Sequence, residues 1–113
     1  LLPCGEASPG ATGLDLLLSL ALKWAEDQHA TSLSGALAKV TCDPARVAGL
    51  AAGQLGVGAL ADVVLFDPAA RWTVAPAALA SQGKHTPFLG YELAGRVMAT
   101  IVAGQLAWER AAR

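Results

Sequence analysis

Gly53-Gln54-Leu55-Gly56-Val57-Gly58-Ala59-Leu60-Ala61-Asp62-Val63-Val64-Leu65-Phe66-Asp67-Pro68 is the stretch at which the character of the chain changes. Its first half is glycine-rich and carries no charge. Its second half is an apolar, β-branched run with an acid at each end and a proline behind it, which predicts a buried strand over 62–67. The order G-x-x-G-x-G differs from the phosphate-binding G-x-G-x-x-G, and a strand follows it where a phosphate loop would open a helix. Without a helix N-terminus there is no row of free N–H groups for an anion, so Gly53 to Gly58 reads as a structural turn.

Upstream of this stretch the pattern is helical. Leu14, Leu17, Leu18, Ala21 and Ala25 recur at helical spacing and predict a helix over 13–29. Leu16, Leu20, Leu22 and Trp24 widen its apolar face, so burial around most of its circumference is expected. Thr12 is the expected N-cap, with Asp15 in the position of a capping-box acid, and Lys23 can pair with Asp27 one turn on. A second helix is expected over 33–40 with Ser32 as its cap. A third starts at Asp43-Pro44, with Asp43 at the N-cap, Pro44 at the first helical position and Gly49 at the end.

Downstream the pattern is short and β-like. Arg71 to Val74 reads as a second strand and Pro76 to Ala80 as a helical turn. Residues 81–90 read as a loop, and Val97–Val102, Ala103-Gly104 and Gln105–Glu109 as a hairpin.

The 113 residues suffice for one core, but 54% are hydrophobic and 15% charged. About 25% charged is usual for a free-standing soluble domain. That excess suggests packing against further polypeptide, and the start at Leu1 rather than Met points the same way, to a fragment. The isolated chain is accordingly expected to associate or to be poorly soluble. A net charge of −1 without a basic patch argues against nucleic acid. No apolar run reaches the roughly 18 residues of a membrane span, and no signal peptide is visible. Cys4 and Cys42 lie far apart with no C-x-x-C, as expected of free thiols in a reducing cytoplasm.

The residues offer little local chemistry. His29 and His85 have no H-x-H or H-x-x-x-H partner, so no zinc site can be built from neighbouring residues, and neither catalytic nor metal-binding residues are expected in this chain. His29 suits a helix end, and His85 a polar loop. No serine stands in a nucleophile elbow. Glu6 to Gly13 is a loop running into a helix; Pro9 stiffens it, and Gly10 and Gly13 let a ligand approach the main chain.

Four segments in order resemble dihydroorotases, cyclic amidases of the amidohydrolase superfamily. Glu6 to Leu18, E-A-S-P-G-A-T-G-L-D-L-L-L, is similar to the E-A-x-P-G-x-x-G-L-E run that follows their last barrel strand. Thr41 to Leu50, T-C-D-P-A-R-V-A-G-L, resembles the segment that closes the barrel. Gly53 to Pro68 resembles the superfamily's G-x-L-x-x-G-x-x-A-D-x-x-x-F-D-P signature. Lys84 to Arg96, K-H-T-P-F-L-G-Y-E-L-A-G-R, is close to K-N-T-P-F-x-G-x-x-L-x-G-R, with His85 where Asn is usual.

The resemblance implies an α/β fold, a (β/α)8 TIM barrel with a small β-sandwich. Residues 1–49 would be the substrate loop and closing helices of the barrel, and residues 50–113 the C-terminal portion of the sandwich. It implies a cytoplasmic, zinc-dependent hydrolase that interconverts dihydroorotate and N-carbamoyl-aspartate in pyrimidine synthesis, with the zinc ligands on a missing N-terminal barrel of the same protein. The chain alone would be inactive. Gly10, then Pro9, then Ala11 are the expected substrate contacts, through main-chain atoms. A homo-oligomer is expected, with no nucleic-acid or membrane partner. Three alternatives stay open: a non-catalytic subunit scaffolding aspartate carbamoyltransferase, an allantoinase- or hydantoinase-like cyclic amidase, and an independent binding domain.

Overall fold

The computed structural model describes residues 3–6, 10–29 and 31–111. Three helices precede a three-stranded antiparallel sheet: α1 Leu17–Gln28, α2 Leu33–Ala38, α3 Cys42–Ala48, then β1 Val63–Thr73, β2 Glu92–Val102 and β3 Gln105–Glu109, in the order β1-β2-β3. Single 3-10 turns lie at Cys4–Glu6, Leu14–Leu16 and Pro76–Ala78.

The helix over 13–29 forms, but its start differs from expectation. The 3-10 turn Leu14–Leu16 leads into α1, and neither start carries a side-chain cap. Asp15 does not close a capping box; its Oδ2 accepts from the Ser81 N–H at 3.3 Å. Lys23 does pair with Asp27, at 3.0 Å. Ser32 caps α2, its Oγ accepting from the Gly35 N–H. In α3, Thr41 and not Asp43 is the N-cap. Asp43 lies inside the first turn, where Lys39 at 3.0 Å, with Arg46, holds its carboxyl below the usual carboxylate range. Gly49 ends the helix in the left-handed region, at φ 68°.

The two strands expected at 62–67 and 71–74 are one. β1 runs through Pro68, and its pairing with β2 slips between Asp67 and Arg71. The slip is a bulge that Asp67 stabilises: its Oδ1 accepts from the Ala69 N–H at 2.9 Å and the Ala70 N–H at 3.2 Å. Pro68 therefore sits where no ladder donor is needed. The hairpin at Ala103-Gly104 forms as expected, with both residues at positive φ (49° and 79°). β2, however, begins five residues before the expected Val97.

Helix and sheet share one core. Leu16, Val74, Leu79 and Leu93 are buried together, with Leu20, Trp72 and Phe88 packed against them. At its centre the Ser19 hydroxyl donates to the Gly95 carbonyl at 2.8 Å and accepts from Trp72 Nε1 at 3.1 Å. Gly95 has φ 89°, and a Cβ there would collide with Leu22 Cδ1. Close approach of α1 to β2 thus requires glycine. α1 also packs on α2, with Ala25 buried, but one side of it stays open. Leu17 and Trp24 are exposed, as is Leu14 just before it, whereas burial around most of the helix was expected. Nothing in the described chain reaches that side.

Two measurements check this packing. Ser19→Ala leaves a buried carbonyl and indole N–H without partners, so urea denaturation should show a loss of about 1–3 kcal/mol; an unchanged midpoint would contradict the packing described. The isolated chain should sediment as associated species because of the bare face of α1; a monodisperse folded monomer would contradict that.

Candidate functional site

The loop expected to meet a ligand is partly in view. Pro9 lies outside the described residues. Gly10 and Ala11 are exposed, and a Cβ added at Gly10 would meet nothing within 4 Å. Open space therefore lies over the main chain, as contact through main-chain atoms would need. The loop is not free to wander past residue 12. The Thr12 N–H donates to the His85 carbonyl at 2.7 Å. Three residues on, Asp15 accepts from Ser81. Residues 10–15 and 81–85 thus lie side by side.

The second loop is itself well anchored. Leu79 and Thr86 are buried at its two ends. The Lys84 ammonium donates to the Leu79 carbonyl at 2.6 Å, and Phe88 packs edge-on against Tyr91 with centroids 5.6 Å apart. The neighbourhood of the two loops was not legible in the sequence. Spacing along the chain carries no sign that Ser81 answers Asp15, although both segments belong to the motifs quoted above.

The histidines lie apart in role. His29 caps α1 with φ 49°, its N–H donating to the Glu26 carbonyl. His85 offers its backbone carbonyl to Thr12, and its residue is exposed. Cys42 is a free thiol. Among the described residues no three of His, Cys, Asp and Glu come together as a metal site would require. The zinc that the resemblance implies would therefore need ligands from outside the described residues. A cavity of about 630 Å³ lies between α1 and the sheet, where Asp15, Trp72, Arg96 and Trp108 line part of it. Among the described residues, no helix is long and apolar enough to cross a membrane.

Comparison with known proteins places this geometry. The model of the amidohydrolase family matches residues 7–107. The dihydroorotase of Citrifermentans bemidjiense is 41% identical over 100 residues, which are 88% of this chain and 23% of that protein. The dihydroorotase of Anaeromyxobacter dehalogenans strain 2CP-1 is 44% identical over 103 residues, 91% of this chain and 24% of that protein. A D-hydantoinase (dihydropyrimidinase) from Thermus sp. superposes with a TM-score of 0.81 at 21% identity, over 93% of this chain and 23% of its own. A second D-hydantoinase structure gives 0.80 at 23% identity. The structural likeness bears out the expected fold class, with the helices and three-stranded sheet of this chain superposing on about a quarter of each of those chains. The chain spans about a quarter of the length of the curated relatives it matches. A family model covering residues 7–107, four motifs in order and dihydroorotase relatives at about 40% identity lead to one statement: the chain belongs to the amidohydrolase family.

Proposed function

We propose that this chain is the C-terminal part of a dihydroorotase, which opens and closes the cyclic amide of dihydroorotate to give N-carbamoyl-aspartate. The observation that carries the reading is the identity of about 40% to dihydroorotases along about 90% of the chain. Residues 1–49 would close the barrel and present the substrate loop, and residues 50–113 would supply sandwich strands. The bare apolar side of α1, with Leu14, Leu17 and Trp24, would pack on the remaining barrel. Zinc, held by residues of that barrel, would supply an activated water and a polarised carbonyl. The chain's own part is to bind: the main-chain atoms of Gly10, with Pro9 and Ala11, would meet the substrate ring. A chain that holds the loop without the metal would be inactive alone. The place of work would be pyrimidine synthesis in the cytoplasm, in a homo-oligomer.

Steady-state assay of the full-length protein tests this. It should hydrolyse dihydroorotate, lose that activity on chelation, and prefer dihydroorotate to allantoin and hydantoin. Preference for allantoin or hydantoin would reassign the substrate. A metal-free, inert protein that co-purifies with aspartate carbamoyltransferase would replace the enzyme by the scaffold.

The loop has its own test. A Cβ at Gly10 meets nothing within 4 Å among the described residues. Gly10→Val should therefore leave the melting temperature alone while raising KM about tenfold or more. An unchanged KM would remove Gly10 from the site.

A further inference from the structure

The Gly10-Ala11 loop is exposed and rich in small residues, so by itself it would sample many backbone conformations. Ordering such a segment on binding weakens affinity, and holding it beforehand strengthens affinity. Two hydrogen bonds and one close approach fix the residues that directly follow it, Thr12 and Asp15. The Thr12 N–H is fixed to the His85 carbonyl at 2.7 Å. The Asp15 carboxylate accepts from the Ser81 N–H at 3.3 Å. Between them Gly83 lies so close that a Cβ on it would stand 2.6 Å from Thr12 Oγ1. The bracing loop is rigid in its turn, because Leu79 and Thr86 are buried at its ends and Lys84 ties it to the Leu79 carbonyl.

We infer that residues 81–85 are a brace for the ligand-binding loop, with Asp15 and Gly83 as positioning residues that fix where Gly10 and Ala11 present their main-chain atoms. The inference rests on the reading of Gly10 and Ala11 as substrate contacts. It adds to that reading a second segment, about 70 residues further along the chain, that acts through the loop. Asp15 acts through the turn Leu14–Leu16, which sets the direction in which the loop leaves the helix. Gly83 acts by leaving room for Thr12, so that the Thr12 amide can reach His85. The consequence is for substrate affinity more than for turnover, since both residues act through the placement of the loop.

The test uses the full-length protein and three variants: Asp15→Ala, Asp15→Asn and Gly83→Val. Asp15→Ala removes the acceptor for Ser81. Asp15→Asn keeps a carbonyl oxygen in its place. Gly83→Val fills the space that Thr12 occupies. Two readouts are taken, KM and kcat with dihydroorotate, and hydrogen exchange of the peptide containing Thr12 and its neighbours. Asp15→Ala and Gly83→Val should raise KM about tenfold with kcat within about twofold. The Thr12 amide should exchange about tenfold faster or more in the same variants. Asp15→Asn should restore most of both. A KM unchanged in both variants would overturn the inference. So would a fall in kcat in parallel with the melting temperature, which is the mark of general destabilisation. Should the unmodified protein turn over no cyclic amide, the functional reading falls by itself. The brace is then decided by hydrogen exchange, and Thr12 protection insensitive to Asp15→Ala and Gly83→Val overturns it.

Discussion

The Ser19 hydroxyl is where the helical and β halves of the chain meet. It is one of two polar side chains buried among the described residues, the other being Thr86. Its oxygen joins three elements at once: it sits on α1, donates to β2 at Gly95 and accepts from β1 at Trp72. A hydroxyl can do this because it offers one donor and two lone pairs. The arrangement needs the helix backbone to approach the sheet closely, which Gly95 permits. The placement of the loop before α1 follows from that docking. With α1 set against β2, Leu16 enters the core beside Val74, Leu79 and Leu93, and the loop before the helix arrives alongside residues 81–85.

Much of the local structure was legible because local physics decides it. Ser32 before an apolar run is a cap, Gly49 is a left-handed stop, and Ala103-Gly104 between two β-like runs is a hairpin. Three of the misreadings share a cause: a side chain answers a distant or unexpected group. Asp15 has the spacing of a capping-box acid, but it bonds to Ser81 from across the fold. Pro68 has the look of a strand terminator, but Asp67 satisfies the donors of a bulge and the strand continues. Glu92 to Arg96 contains Gly95, a poor strand residue on propensity, and joins β2 because the helix needs that glycine. Asp43 was expected to cap α3 and pairs inside its first turn with Lys39 and Arg46.

The ligand loop was legible only as a motif. Nothing in the spacing of Thr12 and Asp15 says which groups answer them, because the partners are a backbone carbonyl at His85 and a backbone N–H at Ser81. Backbone atoms carry no sequence signature. The bare side of α1 was legible in a different way. Its leucines and tryptophan predict burial, and among the described residues Leu17 and Trp24 stay exposed. An apolar face of that kind, on a chain matching about a quarter of its relatives' length, fits a helix made to close a larger barrel.

The most direct measurement is the sequence of the coding region upstream of Leu1. We expect an open reading frame that continues into a barrel, with an H-x-H pair early and an Asp-x-x-His segment just before Leu1. A stop codon followed by a start signal immediately upstream would contradict the account, because the loop, the brace and the bare helix would then have no barrel to serve.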